Sequence, residues 1–353
     1  APTVAGLATS LGSGAMTNTI AELGDASTIM AIGTNTTEAH PIAALQVKDA
    51  VRNGAKLIVI NPKEIELCKK ATVFLQHKPG TDVPLLMGMM RVIVDEGLED
   101  KMFIKDRCQD FDAFKKSLDA FDLDTVEKLT GVAQAKIIEA ARIYATQTPS
   151  SVIYCMGITQ HVHGTDNVLA ISNLALLTGN IGKPSTGVNP LRGQNNVQGA
   201  CDVGCLPNVY PGYQQVSSAE VKAKFESAWG AKLSDKPGQT HTEIFDSLLN
   251  GNIKSLYLVG ENPVLSEANA GHAIEAMEKA DFMVVQDIFM TETAELADVV
   301  LPGAAFAEKD GTFTNTERRV QRVRKVVDPV GDAKPDWWIA CELAKRLNAK
   351  GFD

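Results

Sequence analysis

Apolar positions along this chain fall into two rhythms. Short continuous runs such as 27–32 and 56–60 have the length and the β-forming composition of strands buried on both faces. Between them, residues 42–52 read as an amphipathic helix, and Gly54 stands where such a helix would close. Strand, helix and strand in that order make a βαβ unit, whose strands pair in parallel. The alternation continues with helices predicted over 84–96, over 133–145 with Thr130 as its cap, and over 168–177 ending at Gly179, and with a strand at 151–155. A second alternating set begins beyond a stretch rich in proline, glycine and tyrosine at 207–213. It holds strands at 255–259, 282–287 and 298–301 and a helix at 266–280, and the last predicted helix covers 337–347.

At 353 residues the chain exceeds the usual size of a single core. The pattern therefore predicts an α/β protein of two doubly wound, mostly parallel-sheet domains, residues 1–194 and 195–353. In such sheets ligands bind beyond the carboxyl ends of the strands. That places the loop 33–40 and Asn61-Pro62-Lys63 on one rim, with 156–160 joining them. Two such halves facing each other would enclose a cleft, with the residues around Pro190 to Asn196 at the junction.

The run Arg192-Gly193-Gln194-Asn195-Asn196-Val197-Gln198-Gly199-Ala200-Cys201-Asp202 follows neither rhythm. It packs an arginine, two glycines and four side-chain amides into one segment. A guanidinium fork beside glycines that permit close backbone approach suits a carboxylate or a phosphate. A polar loop whose amides bond to its own backbone has the same composition.

The wording of the run, continued by Leu206-Pro207 and Tyr210-Pro211-Gly212-Tyr213, closely resembles the molybdenum- or tungsten-dependent formate dehydrogenases. The resemblance extends through Val4-Ala5-Gly6-Leu7, Gly33-Thr34-Asn35-Thr36-Thr37-Glu38-Ala39-His40-Pro41, Met156-Gly157-Ile158-Thr159-Gln160, Leu177-Thr178-Gly179-Asn180-Ile181-Gly182-Lys183-Pro184 and Gly311-Thr312-Phe313-Thr314-Asn315-Thr316-Glu317-Arg318. The Gly-x-Asn and Leu-Thr-Gly-Asn elements are shared with the wider molybdopterin oxidoreductase superfamily. The Arg-Gly-Gln-Asn-Asn loop is the formate-specific part.

This resemblance implies the Rossmann-like central domains of a catalytic subunit that interconverts formate and CO2. Its cofactor is molybdenum or tungsten held by two molybdopterin guanine dinucleotides, whose recognition needs amides for base and pterin edges and N–H or cationic groups for pyrophosphates. In the first domain Gly33, Asn35, Glu38, Asn61, Lys63, Gly80, Asp82, Met156, Gly157 and Gln160 match the contacting loops, with Gly193 and Gln194 beside the arginine. Lys63 stands where an arginine is often found, and Asn61 where an aspartate is. In the second domain Gly260, Glu261, Asn262, Gln286 and Asp287 resemble loops that hold the other dinucleotide. On the residues alone, Asn35 and Gln160 read equally as turn or strand-end caps, Gly-Glu-Asn-Pro as a turn and 311–318 as a polar hairpin.

Arg192 is the expected substrate clamp, because a guanidinium holds both oxygens of formate without changing protonation. Neutralising pterin phosphates is the alternative role. In the resembled enzymes the segment matching Val4-Ala5-Gly6-Leu7 follows a metal-ligating cysteine or selenocysteine and a histidine, so no metal ligand is expected within this chain. A [4Fe-4S] domain ahead of that ligand and a β-rich domain near the end of the subunit are also unrepresented. The expectation is the middle of a larger subunit, inactive and with little or no cofactor by itself. Its partners would be formate or CO2, the remaining domains of the subunit and an iron–sulfur or flavin electron-transfer subunit. Two other readings stay open: a nitrate-reductase-like molybdopterin enzyme, and a cofactor-free structural domain of a respiratory complex.

The formal charge of −9 and the pI near 5.3 oppose a broad surface for nucleic acid or anionic membrane. No apolar run approaches the ~18 residues that span a bilayer; the longest, 169–177, is broken by Ser172 and Asn173. Six cysteines without a Cys-x-x-Cys pair match neither a zinc nor an iron–sulfur pattern, and free thiols point to a reducing, cytoplasmic compartment. Cys201 and Cys205 are expected to pack, His40 to be structural, and His161 and His163 to lie on an exposed loop rather than to ligate metal.

Overall fold

The computed structural model describes residues 2–352. β1 (Thr28–Ile32), β2 (Lys56–Ile60), β3 (Val73–Leu75), β4 (Ser150–Tyr154) and β5 (Gly187–Pro190) form one sheet in the order β3-β2-β1-β4-β5. Every pairing in it is parallel, with Ile32 level with Ile60 on one side and with Tyr154 on the other. The chain winds outward from β1 to β3, then crosses back to β4, so the winding reverses between β1 and β4.

All residues of β1 and β4 are buried, as expected of strands covered on both faces. Ile29, Ala31, Leu57 and Val59 pack under Ala43 and Val47 of the helix Pro41–Arg52. Met30, Ile32, Ile58, Ile60 and Val152 point the other way, into a larger core with the helices Asp82–Asp95, Gln134–Thr146 and Gly164–Leu177. Each such Ile or Leu contributes about 1.5–3 kcal/mol by leaving water.

The chain divides into two compact units, Ala1–Gln198 with Thr314–Arg319, and Gly199–Phe313 with Val320–Asp353. The division falls at Gln198 rather than at 194, and residues 314–319 belong to the first unit. In the second unit β6 (Val209–Tyr210) and β7 (Gln214–Gln215) pair antiparallel. β8 (Ser255–Val259), β9 (Phe282–Asp287) and β10 (Val299–Pro302) form a parallel sheet in the order β10-β9-β8. Met283, Val285, Leu256 and Leu258 pack against Phe245, Leu248, Ala273 and Met277, while Tyr257, Val259, Phe282 and Val299 are exposed. β11 (Gly311–Thr314) and β12 (Val320–Val323) pair as a two-stranded ribbon.

Several local expectations change. Thr130 ends the helix Leu123–Thr130, donating its hydroxyl to Val126 O (2.7 Å), and the next helix starts from Ala133 without a side-chain cap. The predicted helix 266–280 is two pieces, Pro263–Ser266 and Ala270–Glu278, because Asn269 caps the second through His272 N (3.2 Å). Met156–Thr159 and Val197–Asp202 are short helices inside what read as loops. β3 and β5 had no sequence signal: one is too short, the other carries glycine, asparagine and an edge proline.

Candidate functional site

The loops after β1, β2 and β4 are tied together at the point where the winding reverses. Gly33 N donates to Ile60 O (3.0 Å), and Gly157 N donates to Gly33 O (3.0 Å). A Cβ on Gly157 would sit 2.5 Å from Gly33 O, and Gly33 itself has φ +56°, so both positions require glycine. Beyond Gly33, the side-chain oxygens of Thr34, Asn35, Thr36 and Thr37 are buried without a hydrogen-bond partner. Asn35 begins the short helix Thr36–Ala39 but makes no side-chain cap bond, so it is not serving as the turn cap its sequence allowed. Each buried polar group left without a partner costs about 1–3 kcal/mol, so these four in succession are available to water or a ligand.

The remaining rim positions divide. Asn61 Oδ1 accepts from Lys63 N (3.0 Å), the turn role, while Lys63 and Glu38 are exposed. Gly80 lies in an open turn. Asp82 is not on the rim surface: its side chain and that of His77 are each 2% exposed and bonded at 3.0 Å. Met156, Gly157 and Gln160 are exposed, and His161 Nε2 donates to Gly157 O (2.8 Å), a role the sequence did not suggest. His163 is exposed beside Asp166. Cys201 is buried but Cys205 is exposed, and all six cysteines are free thiols.

Arg192 is held from several directions. Its N–H donates to Thr316 Oγ1 (3.2 Å), its carbonyl accepts from His40 Nε2 (2.7 Å), and its Nη2 donates to Gly14 O (3.0 Å). Its Nε is buried without a partner. Arg192, Gly193 and Gln194 line a cavity of about 130 Å³ with Thr3, Tyr154 and Met156. Burial pushes the Tyr154 phenol well above its ordinary range, so it is a neutral hydroxyl, bonded to Thr3 Oγ1 at 3.5 Å. Burial also raises the Cys155 thiol, whose Sγ donates to Leu191 O (3.1 Å). The cavity thus presents one permanent cation among neutral groups, a charge pattern that suits a small anion. A larger hollow of about 460 Å³ is lined by Arg107, Asp110 and Phe114 and by no residue of the rim loops.

In the second unit the corresponding loops are closed on themselves. Asn262 Nδ2 donates to Glu292 (2.9 Å) and its Oδ1 accepts from Thr293 Oγ1 (2.6 Å). Gln286 is buried, donating to Asp336 (2.7 Å) and accepting from the Tyr257 hydroxyl. Asp287 Oδ1 accepts from Ile288 N (2.6 Å), and Glu261 accepts from Ser266 (2.9 Å). Gly260 is open. Among the described residues no three His, Cys, Asp or Glu side chains gather to hold a metal, and no helix is long and apolar enough to cross a membrane.

Residues 4–346 match the family model described as molybdopterin oxidoreductase. The chain belongs to the molybdopterin oxidoreductase family. Among curated members it is 51% identical over 345 residues to the F420-dependent formate dehydrogenase subunit alpha of Methanocaldococcus jannaschii, covering 98% of this chain and 51% of that one. It is 42% identical to formate dehydrogenase H of Escherichia coli, covering 98% of this chain and 48% of the relative. The chain therefore spans about half the length of these curated relatives. Among solved structures, acetylene hydratase from Pelobacter acetylenicus superposes with a TM-score of 0.76 over 94% of this chain and 50% of its own; at 24% identity this shows the α/β fold alone.

Proposed function

We propose that this molybdopterin oxidoreductase chain is part of a formate dehydrogenase catalytic subunit, interconverting formate and CO2 in the intact enzyme. The observation that carries the reading is Arg192: a guanidinium anchored at one end, with a buried unpartnered Nε, lining a small cavity. The names of the relatives at 42–51% identity support the same reaction.

The first rim fits a bis-pterin guanine dinucleotide cofactor, because its unpartnered oxygens on Thr34, Asn35, Thr36 and Thr37 suit a ligand dense in hydroxyl and amide groups. Gly33, Asn35, Glu38, Asn61, Lys63, Gly80, Met156, Gly157 and Gln160 would hold one dinucleotide; Gly193 and Gln194 lie next to the substrate clamp. Gly260, Glu261 and Asp287 would contribute to holding the other. Asp82, Asn262 and Gln286, whose side chains are engaged with protein, act on loop shape. When bound, the molybdenum or tungsten centre supplies the two-electron acceptor for the C–H bond. This chain's part is to hold formate by its two oxygens on Arg192, fix its orientation and exclude water. Iron–sulfur or flavin groups elsewhere in the enzyme would carry the electrons away.

In the full-length enzyme, Arg192→Lys keeps the charge but loses the paired N–H geometry. Losing charge-assisted contacts in a small cavity should lower kcat/KM by about 30- to 1000-fold, roughly 2–4 kcal/mol of transition-state stabilisation, with metal content intact. If Arg192 instead neutralises pterin phosphates, metal loading falls and activity per bound metal stays normal. Unchanged activity per metal rules out the substrate clamp.

A further inference from the structure

We infer that His40 and Thr316 are positioning residues that fix the backbone of Arg192, and through it the direction of its guanidinium. This rests on the reading of Arg192 as the formate clamp. A carbonyl oxygen only accepts, so the proton between His40 and Arg192 O sits on His40 Nε2. On the other side of the residue, Thr316 Oγ1 accepts from Arg192 N (3.2 Å) and donates to Pro190 O (2.6 Å), so one hydroxyl bridges the two ends of the Pro190–Leu191 step.

Both anchors are themselves fixed. His40 stands between the helices Thr36–Ala39 and Pro41–Arg52, and Pro41 restricts its backbone. Thr316 lies in the segment that belongs to the first unit, pinned by Thr314 N to Asn196 Oδ1 (2.9 Å) and by Ile20 N to Glu317 (2.6 Å). Without them Arg192 would begin a run in which Gly193, Gln194 and Asn195 are exposed, and the lever arm of its long side chain would magnify any backbone motion at the guanidinium. Gly14 O restrains only the far end.

The experiment uses the full-length enzyme with four variants, Thr316→Val, Thr316→Ser, His40→Leu and His40→Gln, beside Arg192→Lys. Serine keeps the bridging hydroxyl, and glutamine places an amide N–H where Nε2–H stood. Thr316→Val and His40→Leu should each raise KM for formate about tenfold with a smaller fall in kcat, at unchanged metal content. Thr316→Ser and His40→Gln should recover most of that loss. Independently of turnover, amide hydrogen exchange over residues 191–193 should speed up in Thr316→Val and return in Thr316→Ser. If Arg192→Lys is defective while Thr316→Val and His40→Leu keep the parent KM and exchange rates, the positioning role is overturned and the clamp stands. If Thr316→Val and His40→Leu lose metal and their conservative partners lose it equally, the two residues serve folding or cofactor loading and the inference is likewise overturned. A normal Arg192→Lys enzyme overturns the underlying reading instead.

Discussion

The two parallel sheets end in loops of the same kind, yet the polar atoms of those loops are engaged differently. At the carboxyl rim of the first sheet, Thr34, Asn35, Thr36, Thr37 and Arg192 Nε carry buried atoms without partners. At the rim of the second, Asn262, Gln286 and Asp287 bond to Thr293, Glu292, Asp336, Tyr257 and their own turn. The strands differ in parallel: β1 and β4 are buried throughout, whereas β8 alternates between exposed and half-buried residues. Strand–loop–helix pattern alone therefore does not mark a binding rim. What separates a side-chain atom left free for a ligand from one engaged with protein is hydrogen bonding between distant residues, which is a tertiary property.

The largest effect expected from disturbing this arrangement is at the crossing of the first rim's loops. Gly157→Ala drives a Cβ to 2.5 Å from Gly33 O and 2.8 Å from its carbonyl carbon, backbone atoms that cannot rotate away. The cost should reach about 3 kcal/mol or more, read from the urea midpoint. A variant as stable as the parent would mean that the loops are not locked and that the rim's geometry is not preset.

A smaller effect comes from a first-unit group whose oxygens are fully engaged. Glu22 accepts from Asn18 Nδ2 (2.8 Å) and Ser185 N (2.9 Å) on one oxygen and from Thr19 N and Oγ1 (3.0 and 2.9 Å) on the other. These bonds, the one from Asn18 foremost, hold its carboxyl at about 2 against an ordinary 4.5. A depressed folded-state value contributes stability above the unfolded value, and that contribution is lost as pH falls from 4.5 toward 2. Glu22→Gln should flatten this part of the stability–pH curve; an unaltered acid limb would show that the four bonds do not favour the charged form.

How much of this was legible in the sequence follows from the same distinction. Strands 27–32, 56–60, 255–259 and 282–287 announced themselves as continuous apolar runs, and the rim loops follow directly from where those runs stop. β5 did not, because glycine, asparagine and proline carry no strand signal and only pairing with β4 makes it one. Thr130 misled because a threonine beside a helix boundary serves equally as an end or as a start. At the site, Arg192 was legible as a type of residue in a type of loop. Its anchors His40, Thr316 and Gly14 were not, since they are 152, 124 and 178 positions away and meet it only by folding. Asp82 and Gln286 read as ligand contacts from their loops alone; their burial and their bonds to His77 and Asp336 were not legible there.

The contrast between unpartnered and engaged side chains is tested most directly by measuring metal content and thermal midpoint together for Asn35→Ala and Asn262→Ala in the full-length enzyme. Asn35 Oδ1 has no protein partner, so its removal should leave the midpoint near the parent's and lower metal and pterin content by about five- to tenfold, the loss of one buried hydrogen bond to the cofactor. Asn262 bonds Thr293 and Glu292, so its removal should cost about 1–2 kcal/mol of stability and leave metal content close to the parent's. If Asn35→Ala keeps its full metal content and loses stability instead, the first rim's unpartnered atoms are not a ligand's and the account fails.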